Sequence, residues 1–270
     1  MRLKPRLLML ALMTAFTVSM VNKPLPVNAT ELTEGYNPAD SLYYVKEDGK
    51  LIKASGVVKV DQDYLYFEDG VMQADFSGLK KIKDDDSFEL YYIEAGKAVI
   101  NDWRTATEKK GDFTYYFGSD AKAYKADSIS GFRTTKVVLK KVDGKQYGFD
   151  ENGHQAKGLW ATDSKLVFFN KKTGVYDKKK SKALQKIVKR GKKSTKLAGT
   201  VKKKFGKPVR IKTTSSCNPF DMSPDASIND SMLKRYKGYN YYYKNIVISM
   251  TKNTSTGVYY MDGAGPIDLD

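Results

Sequence analysis

Residues 147–160 read YGFDENGHQAKGLW, and the architecture of the amino-terminal half follows from them. Tyr147 and Phe149 form an aromatic run with strand preference, Asp150 to Gly153 is a turn-forming stretch, and Leu159 and Trp160 begin a second short run. Such an aromatic run, polar turn with Gly and second run predict a β-hairpin. The same order recurs on both sides. Upstream lie Leu42-Tyr43-Tyr44-Val45, Tyr64-Leu65-Tyr66-Phe67, Leu90-Tyr91-Tyr92-Ile93 and Thr114-Tyr115-Tyr116-Phe117, and downstream lies Leu166-Val167-Phe168-Phe169. Successive clusters are 20 to 32 residues apart, and Gly49, Gly70, Gly96, Gly153 and Gly174 follow five of them closely. A period of that length predicts a mainly β fold, a β-hairpin repeat array (solenoid) in which each unit buries its apolar face on its neighbours. No helix is expected before about residue 178.

At Tyr147–Trp160 the chain resembles the cell-wall-binding repeats of Gram-positive surface proteins, of the choline-binding and glucan-binding type. Their pattern runs roughly W-Y-Y-F-D-x-x-G-x-x-x-x-G-W. The five other clusters repeat it more loosely, so the resemblance covers most of residues 42–177. It implies a non-catalytic β-hairpin solenoid that attaches a protein to wall polymers or glucans. For choline-binding members it also implies a cage of aromatics, because aromatic faces attract a quaternary ammonium. Here the opening cage position is Leu42, Tyr64, Leu90, Thr114, Gln146 and Leu166; the closing position is Val57, Leu79, Trp103, Phe132 and Leu159, with Trp160 one residue late. Most cages would lack walls, so contact with carbohydrate or wall polymer through exposed Tyr and Trp is the expectation. The candidate ligand-binding aromatics are Tyr64, Tyr66, Tyr92, Trp103, Tyr115, Phe132, Tyr147 and Trp160, with Trp103 and Trp160 foremost. Alternation along a hairpin assigns about half of the cluster residues to core.

From Lys171 to Lys212 there are 18 Lys and Arg and one acid, Asp177, while the segments on either side are close to neutral. Leu184, Ile187 and Val188, then Leu197, Ala198, Val201 and Phe205, have helical spacing, with Gly191 between the two sets. Two short amphipathic helices are predicted, the second capped by Ser194 or Thr195 and ended by Gly206 and Pro208, with Lys202, Lys203 and Lys204 facing outward. Strands are expected at 209–215, 239–244, 246–252 and 257–261, with a loop at 218–230, giving a small α+β domain with two helices on an antiparallel sheet. The segment VKKKFGKP, Val201–Pro208, resembles the small helix-helix-sheet modules of outer-membrane assembly lipoproteins and β-lactamase inhibitor proteins. That resemblance implies a protein-binding or structural module. The candidate polyanion-binding residues are Lys179, Lys180, Lys189, Arg190, Lys192, Lys193, Lys202, Lys203 and Lys204.

Arg2, Lys4 and Arg6, an apolar run from Leu7 to Val21, and the small-residue stretch ending at Ala29 have the layout of a signal peptide. Residues 1–29 are therefore expected to be removed, leaving repeats at 30–177 and the basic helical segment plus α+β module at 178–270, outside the cell. The partners expected there are a cell-wall glycan or an anionic wall polymer, attracted by lysines with a strong salt dependence. A protein partner for the second module is a further expectation. Nucleic acid is not expected, nor is an integral membrane segment after cleavage. With one Cys and one His in 270 residues, disulfide frameworks and zinc sites needing several such ligands are excluded, and neither metal nor cofactor is expected.

His154, Cys217 and Arg235 occur in the order of sortase-type transpeptidases, in which a thiolate attacks a carbonyl and Arg steadies the oxyanion. His154 sits in a repeat turn, however, and Cys217 in the other module. Asp84, Asp85 and Asp86 form the densest acidic cluster, read as a polar turn or a loose Ca²⁺ contact. The expectation is a secreted, non-enzymatic surface protein. The alternatives are a wall-active enzyme or accessory, and an extracellular protein-binding factor that uses the repeats as scaffold.

Overall fold

The computed structural model of the chain describes residues 33–84, 87–127, 133–215 and 235–269. The expected signal peptide, Asp85, Asp86, Phe132, Cys217 and the loop at 218–230 lie outside these residues. The structure is mostly β, with two helices, Lys178–Ile187 (α1) and Leu197–Phe205 (α2).

All six aromatic clusters fall on strands: Leu42–Glu47, Asp63–Glu68, Ser87–Glu94, Gly111–Phe117, Lys145–Phe149 and Leu166–Phe169. In the last five, however, the cluster is the second strand of its main hairpin. Its antiparallel partner lies upstream, at Gly56–Val60, Gly78–Asp84, Asp102–Glu108, Val138–Val142 and Gly158–Ala161. The reading of the cluster as the first strand is corrected for a simple reason. The upstream runs are long enough to pair fully, whereas the chain after each turn returns only as a two-residue strand or a single bridge, such as Phe149 with Gln155. The hairpin 138–149 closes at Asp143 and Gly144, both with positive φ (47° and 76°), the Asp-Gly geometry that matches strand twist.

Successive units are tied together by a recurring backbone hydrogen bond between a cluster strand and the turn region of the next unit, the cluster strand donating at the first two junctions and accepting at the last three. The amide of Tyr43 donates to Gly70 O and that of Tyr66 to Gly96 O. Ala123 N donates to Leu90 O, Gln155 N to Thr114 O and Tyr176 N to Gln146 O, and all five bonds measure 2.8 Å.

The core of the repeats is correspondingly divided into small clusters, one at each of the last four junctions. Tyr66 meets Tyr91, Ile93 and Ala98; Leu90 and Val99 meet Tyr115 and Phe117; Tyr116 meets Val142 and Phe149; Val137 and Ala156 meet Val167 and Phe169. Neighbouring residues of one strand therefore serve different junctions, Tyr91 the earlier and Leu90 the later. Both faces of an inner unit therefore carry residues buried against a neighbour. Gly148 shows how close the contact is, since a Cβ there would lie 2.2 Å from Cζ of Phe169 in the next unit.

The carboxy-terminal part is a five-stranded antiparallel sheet in the order Lys193–Ser194, Tyr259–Gly265, Val247–Asn253, Tyr236–Tyr242, Arg210–Ser215. Both helices pack on one face through Val188, Leu197 and Val201 against Tyr241, Ile248, Met250 and Met261. α1 begins at Lys178, where Asp177, the one acid of the basic zone, caps it by accepting from the amide of Lys180 at 2.8 Å. α2 has Lys196 at its N-cap, with no side-chain bond, and Ser194 instead accepts from Lys196 N within the preceding turn. Gly206 ends it as expected.

Residue 177 is not a clean divide. Ala161 and Leu166 of the sixth hairpin belong to the core beneath the helices. Arg133–Thr134 pairs with Asp268–Leu269, and the Thr135 hydroxyl donates to Asn245 O while accepting from Ile267 N, both at 2.7 Å.

Candidate functional site

Stacking decides which aromatics remain available to a ligand. Tyr66 and Tyr115, expected as ligand contacts, are 2% and 0% exposed, and this corrects both assignments. Each lies on a strand covered by the adjoining unit, and each hydroxyl is bound within the protein, Tyr66 to Glu68 and Tyr115 to Glu108. Burial, reinforced by Glu108, pushes the Tyr115 phenol well above its ordinary value. Tyr64, Tyr92, Trp103, Tyr147 and Trp160 are half-buried.

Trp103 is the hub of a ring cluster joining two units, 5.0 Å from Tyr116, 4.9 Å from Tyr147 and 5.9 Å from Phe149 between centroids. Tyr124 extends it, 5.1 Å from Tyr116. Trp160 packs on the next junction and donates from its indole to Lys157 O at 3.0 Å. Tyr92, Trp103, Tyr147 and Trp160 each keep part of their surface open to solvent.

Several other rings already carry a cation of this chain. The ammonium of Lys59 lies 5.9 Å from the centroid of Tyr64, Lys81 3.5 Å from Phe88, Lys140 5.5 Å from Tyr124 and Lys180 3.6 Å from Phe168. Such contacts use the same ring quadrupole that attracts a quaternary ammonium.

The second surface is cationic. Lys179, Lys180, Lys189, Arg190, Lys192, Lys193, Lys202, Lys203 and Lys204 are all exposed, on or next to α1 and α2. In the repeats some cations are paired: Arg104 with Glu94 (2.7 Å) and Asp102 (2.6 Å), Lys97 with Asp63 (2.6 Å), Lys80 with Glu68 (3.0 Å). Among the described residues, none of these nine except Arg190, which lies near Asp262, has a carboxylate partner. Lys178, Lys179 and Lys180 also occupy the first turn of α1, the positive end of the helix dipole, where cations oppose folding.

His154 pins two units together. Its Nδ1 lies 3.1 Å from Asp150 Oδ2, its Nε2 lies 3.2 Å from Glu108 Oε1, and its ring stacks on Phe113 with centroids 3.8 Å apart. Both nitrogens are thus occupied within the repeats. Burial alone would lower the imidazole pKa; the hydrogen bond and charge of Asp150, then those of Glu108, outweigh it and raise it above the ordinary 6.5. Burial alone would raise Glu108, but hydrogen bonds from Tyr115 and His154 hold it below 4.5.

A raised histidine pKa contributes stability that is complete below 6.5 and is lost as pH rises through the folded value. A lowered carboxylate contributes above 4.5 and is lost as pH falls through its folded value. The pair is therefore strongest between these limits. Thermal melts from pH 6 to pH 8.5 are expected to show the wild type losing stability relative to His154→Asn; parallel curves would remove the pin from the account.

Among the described residues no group of three His, Cys, Asp or Glu side chains is placed to hold a metal ion. Among them also, no helix is long and apolar enough to cross a membrane.

No protein-family model matches the chain, and no curated protein does. Among solved structures it is similar to choline binding protein F from Streptococcus pneumoniae, at 17% identity and a TM-score of 0.31, over 54% of this chain and 43% of that one. It is also similar to the modular Cpl-1 endolysin complexed with a peptidoglycan analogue, at 18% and 0.28, over 37% of this chain and 25% of that one. A third is truncated alternansucrase from Leuconostoc mesenteroides, at 18% and 0.26, over 51% of this chain and 12% of that one. The chain spans less than half of each of these proteins, and at such scores the likenesses carry no functional inference. They lend nothing to the resemblance noted at Val201–Pro208.

Proposed function

We propose that the protein is a secreted, non-catalytic surface protein that attaches non-covalently to anionic cell-wall polymers or glycans. In this reading the six hairpins form a solenoid, and its open aromatic faces, with Tyr92, Trp103, Tyr147 and Trp160, stack on sugar. The cations of Lys171–Lys212 hold the anionic groups. The observation that carries the reading is that cationic surface. Exposed lysines gathered on two helices without carboxylate partners among the described residues, three of them at the unfavourable end of α1, are better explained by an external polyanion than by folding.

The aromatic pattern of the repeats supports the wall as the location, because it resembles wall-binding repeats and because residues 1–29, which precede it, have the layout of a signal peptide. Several weak contacts on one chain would add through effective concentration. The test is retention of purified full-length chain on insoluble wall material before and after chemical removal of its anionic polymers. Retention that falls with the polymers is expected, and no retention on either material would overturn the reading.

A further inference from the structure

A cleft of about 610 Å³ opens at the tip of the hairpin 102–117, at the opposite end from Trp103 and apart from the helical lysines. Its lining includes three exposed cations, Lys109 and Lys110 from the tip and Arg133 from the strand that pairs with the chain's last strand. Among the described residues none of the three makes an ion pair. The half-buried ring of Phe113 also lines it, backed by His154 at 3.8 Å. Since His154 is itself held by Asp150 and Glu108, the ring pair is fixed before any ligand arrives. Exposed Asn152 adds an amide at the rim. Glu108 is the opposing charge, but its carboxylate is bound by the Tyr115 hydroxyl and by His154, leaving the cleft net positive.

We propose that this cleft binds a single saccharide unit carrying a phosphate or carboxylate group. The volume suits a small ligand, for which sites run from about 300 to 1,000 Å³. An aromatic face receives the apolar face of a sugar ring, and a fork of Arg and Lys receives the anion. A bare anion would have no use for the ring pair, and a neutral sugar none for three cations. The proposal rests on the wall-polymer reading for the source of such units, and it names a second contact that Lys171–Lys212 does not supply.

The experiment is calorimetric titration of the full-length chain with glucose 1-phosphate, glucuronate, glucose and inorganic phosphate. Saturable binding of at least one sugar anion is expected, at least about tenfold tighter than glucose, since charge-assisted contacts supply that much, and severalfold tighter than inorganic phosphate, which has no ring to lay on Phe113; which sugar anion binds assigns the group. The variant Lys109→Gln/Lys110→Gln/Arg133→Gln, at exposed positions, is expected to lose about tenfold or more, and Phe113→Leu to lose severalfold. No binding of either sugar anion, binding no tighter than inorganic phosphate, or an unaffected triple variant would each overturn the proposal. Wall retention separates the two claims. Retention without sugar-anion binding removes the cleft alone, and sugar-anion binding without retention removes the wall reading.

Discussion

Replacing Lys179, Lys180, Lys202, Lys203 and Lys204 together by Gln is expected to weaken binding to anionic wall polymer by roughly a thousandfold at low salt while leaving the fold intact. At about 1 kcal/mol for each cation held near an anionic surface, five neutralisations give an effect of that size. Stability should change little, because all five side chains are exposed and none has a carboxylate partner among the described residues. Two opposing contributions are visible. Lys180 loses its contact with Phe168 and Lys202 its contact with Tyr241, whereas the first turn of α1 is relieved of two cations. Affinity measured on polymer-coated surfaces, with melting curves in parallel, separates binding from folding. Undiminished affinity in a folded variant would contradict the cationic anchor.

The substitution Gly148→Ala is expected to destabilise the chain by about 3 kcal/mol, the upper part of the usual range for an overfilled core. The added methyl would lie 2.2 Å from Cζ of Phe169, with the adjoining ring carbons Cε1 and Cε2 at 2.8 Å. Phe169 is fully buried against Val137, Ala156 and Val167, so its ring has nowhere to retreat. For a chain of this size the melting midpoint should fall by roughly 6–12 °C. Gly144→Ala is the control. It sits at φ 76° with open space around it, so it reports backbone strain without packing and should cost only about 1–2 kcal/mol. Equal effects of the two would mean that the fifth and sixth units do not interlock as described.

The sequence pattern made the repeat units legible because aromatic strands and Gly turns are local signals, and all six clusters proved to be strands. What lay beyond it was the neighbour. Tyr66 and Tyr115 read as ligand contacts because alternation along one strand says nothing of a second unit stacked on the other face. The helical lysines were legible as exposed because α1 and α2 each show one apolar stripe, and Leu184, Leu197 and Val201 fill it. Asp177 passed unnoticed as the cap of α1, since its own charge was lost among lysines. The cleft was hidden for a different reason. Lys109 and Phe113 share one hairpin, but Arg133 and Asn152 come from later in the chain and join them only once two units and the strand pairing at Arg133–Thr134 are in place.

Co-sedimentation of the full-length chain with purified cell walls across a salt series tests the account most directly. The account predicts binding at low salt that falls steeply and linearly on logarithmic axes as salt rises, because each anionic group that meets a lysine releases a counterion. It also predicts a shallower slope when Lys179, Lys180, Lys202, Lys203 and Lys204 are neutralised. A chain that stays in the supernatant at every salt concentration would contradict it.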